Sequence, residues 1–282
     1  MINEFTTGQV VSVDGHPYRS EGVIKGGMGL VVFLSSTKLV NSEIYRDRVA
    51  AKVFSPIYDE ALLRNEMAIW RKINHPHSAL LLGIGYANDY LCGLMPWFTE
   101  GAIDHSRMPD AHRARLVKRM LQHITLALDY SWQTHRIAHC DIKPANILMR
   151  LENYYLTDWG IARIVPCDQI HRRQPIAGTL PYMAPELFTG STPAPSRDIY
   201  ALGITALQLM TNRLPYEGAS SEDVVDSILN GTTFSRISDL TTSLPPQWRK
   251  LIIHCCQPTP DLRISSYTEI RRSIDSLEEY DV

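Results

Sequence analysis

The stretch HCDIKPANILM, His139 to Met149, sets an acid, a lysine and an asparagine two and five residues apart. It has little periodicity of its own, so no helix or strand explains why Asp141, Lys143 and Asn146 stand together. A cysteine, Cys140, sits among them. The chemistry this cluster serves depends on what surrounds it.

At 282 residues the chain is long for one core and comfortable for two packed lobes. Hydrophobic content of 44% with 21% charged residues describes an ordinary soluble globular protein. A net charge of −2 argues against wholesale nucleic-acid binding. No apolar run approaches the roughly 18 residues of a membrane span. The start, MINEFTTGQVV, lacks the basic and apolar regions of a secretory signal. Five cysteines form no CxxC pair, which suggests a reducing compartment without structural zinc. A cytoplasmic protein with no membrane partner is expected. HPH, His75 to His77, resembles a metal-binding fragment, but with no partner pair nearby it reads as a loop after a helix.

The first hundred residues read as strands with one helix. Asp14-Gly15 is a hairpin signal, followed by two strand-like runs around a glycine cluster in YRSEGVIKGGMGLVVFLSS. RVAAKVF is a short buried-strand pattern. From Asp59 to Ile73 the period turns helical, with Leu62, Leu63, Met67, Trp70 and Ile73 on one broad face. Two more strand-like runs follow, ALLLGIGY and YLCGLMPWF. After a hinge near Trp97 to Gly101 come a long helix ending at His135 and a more apolar one, RDIYALGITALQLMTN. Shorter helices are expected near Glu222, Gln247 and Thr268. The space between two such lobes is the natural place for a site.

Several short stretches could carry chemistry. The glycines of GGMG, Gly26, Gly27 and Gly29, let backbone N–H groups approach phosphate oxygens. A tight hairpin explains them at least as well, and the strand that follows argues against a dinucleotide fold. Lys52 in VAAK lies in an apolar strand, where an unpaired ammonium is costly; Glu66 is the best partner. A surface lysine on an edge strand is the plainer alternative. Asp158 in LTDWGIAR, at a strand end beside Gly160, suits a divalent cation or a simple turn. GTLPYMAPEL carries a buriable glutamate, Glu186, for which Arg263 is a distant partner.

In order and spacing these segments resemble the protein-kinase superfamily of the eukaryotic (Hanks) type, from about Tyr18 to Leu277. GGMG and KPANIL look most like bacterial members. The resemblance implies an α+β bilobal protein-kinase fold: an N-terminal extension (1–17), a strand-rich N-lobe with one helix (18–98) and a helical C-lobe (99–282). It implies transfer of the γ-phosphate of ATP to serine or threonine of protein substrates. Asp141 would take or orient the hydroxyl proton and Lys143 would neutralise the transferring phosphoryl group. Lys52, paired with Glu66, would hold the α- and β-phosphates. Asn146 and Asp158 would bind Mg²⁺ or Mn²⁺. Lys143 and Thr179 follow the serine/threonine pattern rather than the tyrosine one.

The resemblance also places the adenine site. Met95 would guard its back, the Pro96 carbonyl and Phe98 N–H would bond the ring, and Val31, Ala50 and Leu148 would sandwich it. Three positions depart from the family. Ile24 replaces the first loop glycine. Trp159 replaces phenylalanine after the metal-binding Asp and is expected behind the helix carrying Glu66, against Trp70. Cys140 replaces the arginine that pairs with an activation-loop phosphate, while residues 161–177 contain no Ser, Thr or Tyr. Receptor and phosphate are missing together, which implies activity without loop phosphorylation. Cys140 then reads as a small buried filler; a redox switch with Cys167 is the alternative. A pseudokinase scaffold and an aminoglycoside-kinase-like phosphotransferase are the competing functions. The full set of polar residues opposes the first and the Ala-Pro-Glu segment the second.

Overall fold

Strand alternation builds the first unit, residues 1–74 and 79–99. The computed structural model describes residues 5–25, 29–37, 48–104, 106, 108–109, 112–161, 163–164, 178–188, 195–216 and 220–277. Gly26 and Gly27 lie outside them, as do Cys167 and the rest of 165–177. Strands β1 (Val10–Val13), β2 (His16–Lys25), β3 (Gly29–Ser36), β4 (Arg48–Phe54), β5 (Gly83–Ala87) and β6 (Tyr90–Pro96) pair antiparallel in the order β1-β2-β3-β4-β6-β5. β1, expected in an extension, is thus part of the sheet, joined to β2 through the Asp14-Gly15 turn.

One face of this sheet is the core: Leu30, Val32, Leu34, Val49, Ala51, Val53 and Leu94 cluster with Val11 and Val13 of β1. The register puts Val31 opposite Lys52 and Lys52 opposite Gly93, so these three share the other face. Helix α1 (Glu60–Lys72) covers it, capped by Asp59, whose side chain accepts from Leu62 N–H. A side chain on Gly93 would meet Trp70 of α1 at 2.8 Å, so only glycine permits this approach. The buried face of α1 is Leu63, Glu66, Met67 and Trp70. Leu62, expected on that face, is exposed, and the buried polar residue Glu66 belongs to the face instead.

The second unit, residues 75–78 and 100–282, is mainly helical, so the described fold is α+β. Its centre is α3 (Pro195–Thr211), buried along most of its length as its apolar sequence suggests. Around it lie α2 (Arg113–His135), α4 (Ser221–Leu229), α5 (Thr232–Leu240), α6 (Pro246–Cys255) and α7 (Tyr267–Asp275). Helix α5 has no counterpart in the periodicity reading; it starts at Gly231, whose φ of 81° suits glycine. Short strands β7 (Ile137–Ala138), β8 (Ile147–Arg150), β9 (Asn153–Leu156) and β10 (Arg163–Ile164) form two ladders, β8 with β9 and β7 with β10.

HPH is a loop after a helix, as expected, but its second histidine is part of a stack. The His77 and His123 rings lie 3.9 Å apart and 13° from parallel. The Tyr154 backbone reads both, its N–H donating to His123 Nδ1 (3.3 Å) and its carbonyl lying 3.2 Å from His77 Nδ1. Burial, then His77 and Arg119, push His123 down to about 4 from 6.5. Protonating Nδ1 would also cost it the Tyr154 N–H. A histidine depressed on folding contributes stability above its unfolded value and loses it as pH falls toward the folded one. The melting midpoint should therefore drop between pH 6.5 and about 4. His123→Asn, which keeps an acceptor but cannot be protonated, should flatten that limb in a pH series of thermal melts; parallel wild-type and variant limbs would refute the assignment.

Candidate active site

Residues 139–146 of the HCDIKPANILM stretch link β7 to β8, with a 3-10 turn at Pro144–Asn146, and are anchored from below by a buried carboxylate. Asp198, fully buried near the start of α3, accepts from the His139 N–H at Oδ2 and the Cys140 N–H at Oδ1, both 2.8 Å. Cys140 has a φ of 69°, a left-handed conformation that costs a side-chain-bearing residue about 1–2 kcal/mol. The bond from its amide to Asp198 helps hold that conformation. His139 ties the loop sideways, with Nε2 3.0 Å from the Thr157 carbonyl and Nδ1 accepting from the Asp141 N–H at 3.2 Å. The expected burial of Cys140 is only partial, and its thiol, in no disulfide, donates to the Ala138 carbonyl at 3.6 Å.

Above this anchor, four donors converge on Asp141. Lys143 Nζ (2.7 Å) and Asn146 Nδ2 (2.9 Å) reach Oδ2. Thr179 gives its N–H (2.9 Å) and hydroxyl (2.7 Å) to Oδ1. Lys143 also donates to the Thr179 hydroxyl. A carboxylate held at both oxygens by such donors has a fixed orientation. Asn146 spends its amide nitrogen on the Asp141 carbonyl and side chain, which leaves its oxygen as the part suited to a cation.

The β8–β9 hairpin brings Asp158 to the same place. Ile147 pairs with Leu156, and the Thr157 N–H donates to the Asn146 carbonyl at 2.9 Å, so Asp158 follows directly. Asp158 has a φ of 65°, a conformation tolerated by aspartate. Among the described residues no group of three or more His, Cys, Asp or Glu could hold a metal by itself. Asn146 and Asp158 supply only hard oxygens in a partial set, which fits an ion that shares its shell with phosphates and water, as Mg²⁺ does. Trp159 is fully buried and donates from Nε1 to Ser78 Oγ at 3.1 Å, with its ring edge-on to His139. The indole N–H of Trp70 donates to the Ala79 carbonyl at 2.6 Å.

In the first unit Lys52 Nζ meets Glu66 Oε1 at 3.0 Å, both largely buried. Ile24 pairs with Val31, and Ala50 with Met95, so Ile24, Val31, Ala50, Lys52 and Met95 share one sheet face. Ile24 is exposed there, while Met95 and Phe98 are buried. Pro96 falls opposite Val49, at the strand end. Gly29 has a structural role too: a Cβ there would collide with the Val53 carbonyl oxygen. Leu148 lies in the second unit, on β8 opposite Tyr155.

The model of the protein kinase domain family matches residues 26–273, nearly nine-tenths of the chain. This chain belongs to that family. The kinase domain is similar to serine/threonine-protein kinase PrkC of Bacillus subtilis, 25% identical over 272 residues, which cover 94% of this chain and 41% of that protein. It is 30% identical to serine/threonine-protein kinase PknK of Mycobacterium tuberculosis over 228 residues, 76% of this chain and 19% of that one. To Aurora kinase of Saccharomyces cerevisiae it is 33% identical over 188 residues, 64% and 47% of the two chains. The kinase domain thus spans less than half the length of these curated relatives.

Sequence reasoning missed the supports: His139, Asp198 and the double contact of Thr179 with Asp141 and Lys143. One signal was available, since Asp198 is an acid inside an apolar helix, as Lys52 is a base inside an apolar strand. The expected Glu186–Arg263 pair is present, bidentate at 2.7 and 3.0 Å, with the arginine side chain fully buried. Arg263 also donates to the Ser196 and Gln257 carbonyls and lies over the Tyr200 ring. Arg263→Ala would strand Glu186 and should cost about 3–5 kcal/mol in urea denaturation. A midpoint unchanged from wild type would contradict that.

Proposed function

We propose that this kinase domain is an active serine/threonine protein kinase that transfers the γ-phosphate of ATP to a serine or threonine hydroxyl of a protein. The observation that carries the reading is the fourfold hold on Asp141 by Lys143, Asn146 and Thr179. Asp141 orients the acceptor hydroxyl and receives its proton as the new O–P bond forms and the bond to ADP breaks. Its donors already occupy most of its acceptor sites, so an incoming hydroxyl displaces one of them. The Thr179 hydroxyl, a neutral group, is the contact that gives way. Lys143 then offsets charge on the transferring group, and Lys52, held by Glu66, does so at the α- and β-phosphates. Asn146 and Asp158 are the residues to hold Mg²⁺ or Mn²⁺, which supplies charge neutralisation between phosphates. Ile24, Val31, Ala50, Met95, Pro96, Phe98 and Leu148 form the adenine contacts, with Gly26, Gly27 and Gly29 in the phosphate loop.

The domain works without phosphorylation of its activation loop. Residues 161–177 offer no acceptor hydroxyl, and cysteine stands where the phosphate-binding arginine would be. Thr179, the nearest candidate, has its hydroxyl on Asp141; a phosphate there would face that carboxylate. Cys92, Cys140, Cys255 and Cys256 are thiols rather than disulfides, which supports a reducing, cytoplasmic setting. Among the described residues no helix is long and apolar enough to cross a membrane.

One experiment tests the reading. Protein treated with a broad phosphatase and repurified is given ATP, Mg²⁺ and casein, with Asp158→Ala in parallel. Phosphoserine or phosphothreonine should appear linearly from the first time point, and the variant should make none. No transfer by wild type, or equal transfer by the variant, would overturn the kinase mechanism. A lag abolished by preincubation with ATP would overturn independence from phosphorylation.

A further inference from the structure

We infer that Tyr267 is a positioning residue for phosphoryl transfer, acting through Asp198 on the loop that carries Asp141. The inference rests on the kinase reading and extends it to helix α7. Tyr267 is the first residue of α7, behind its N-cap Ser266, and is 1% exposed. The buried face it shares with Ile270 and Ile274 would be satisfied by any apolar ring. A buried phenol hydroxyl, however, needs a partner, and this one donates to Asp198 Oδ2 at 2.9 Å.

That bond is the third on one carboxylate. Oδ2 accepts the His139 N–H and the Tyr267 hydroxyl, and Oδ1 the Cys140 N–H. The two amides belong to the loop being held, so they cannot by themselves fix the carboxylate against the rest of the domain. Tyr267 comes from a separate helix packed on α2, α3 and α6, and supplies an outside reference. Burial, then the Asp198 carboxylate, push its phenol well above its ordinary value, so it remains a donor at any working pH.

Without the hydroxyl, the Asp198 carboxylate can turn about its terminal torsion and carry both amides with it. The amide bond to Asp198 helps hold Cys140 at a φ of 69°, and Asp141 is the next residue. A small displacement there reaches the carboxylate that must meet the acceptor hydroxyl. Nucleotide contacts assigned to the first unit are untouched. The effect therefore belongs in kcat and not in KM for ATP.

The test compares wild type, Tyr267→Phe and, as a packing control on the same helix, Ile274→Val. Steady-state kinetics are run well below all three melting midpoints, and backbone hydrogen exchange is followed in a peptide spanning residues 137–146. Tyr267→Phe should lower kcat about tenfold with KM for ATP within about twofold of wild type. Its 137–146 peptide should exchange faster than that of Ile274→Val, which keeps wild-type kcat. Wild-type kcat and exchange in Tyr267→Phe, or the same losses in both variants, would overturn the inference. The exchange comparison needs no turnover, so an inactive wild-type protein would reject the kinase reading while Tyr267 is still decided by exchange.

Discussion

The buried carboxylate of Asp198 is the constraint from which the site is built. An ionised group at full burial is tolerable only when its oxygens are satisfied, and three donors converge on it. Two of these are consecutive backbone amides, so satisfying the charge also sets the backbone of the loop. The left-handed turn at Cys140 and the direction of Asp141 follow from that arrangement. Stability and positioning are here one interaction, and a loop whose only regular element is one 3-10 turn gains a fixed shape from a helix beneath it.

Charge organises the rest in the same way. Lys52 with Glu66, Lys143 with Asp141 and Arg263 with Glu186 each place a base against an acid in partial or full burial. Such pairs are poor sources of stability compared with apolar packing, but breaking one leaves an uncompensated charge. They therefore specify geometry. Arg263 marks the extreme, its guanidinium shared among Glu186, two backbone carbonyls and the Tyr200 ring. Lys143 is the most exposed of these bases.

Much of this was legible in the sequence because chemistry with strict spacing leaves local traces. The glycine cluster, the lysine in an apolar strand, HCDIKPAN, DWG and MAPE stand in one order, and RVAAKVF coincides with β4. The Glu186–Arg263 pair was readable as two buriable opposite charges. What escaped was set by tertiary contact. Leu62 fits the helical period of α1 yet faces solvent, because the helix turns the carboxylate of Glu66 inward to Lys52. The first strand was read as an extension, since nothing local shows that Val11 and Val13 complete a core made by distant strands. Helix α5, TTFSRISDL, is short and rich in Thr and Ser, so only three apolar residues mark its period. The grip of Asp198 on residues 58 and 59 positions earlier has no local signature.

On the proposed reading, Asp141 receives the acceptor proton and is oriented in advance by its donors. Single-turnover transfer by Asp141→Asn, measured together with ATP affinity, tests this most directly. Asparagine keeps the shape but loses the basic oxygen, so transfer should fall at least about 100-fold while ATP binds within about twofold of wild type. Transfer at the wild-type rate with unchanged ATP affinity would contradict the account.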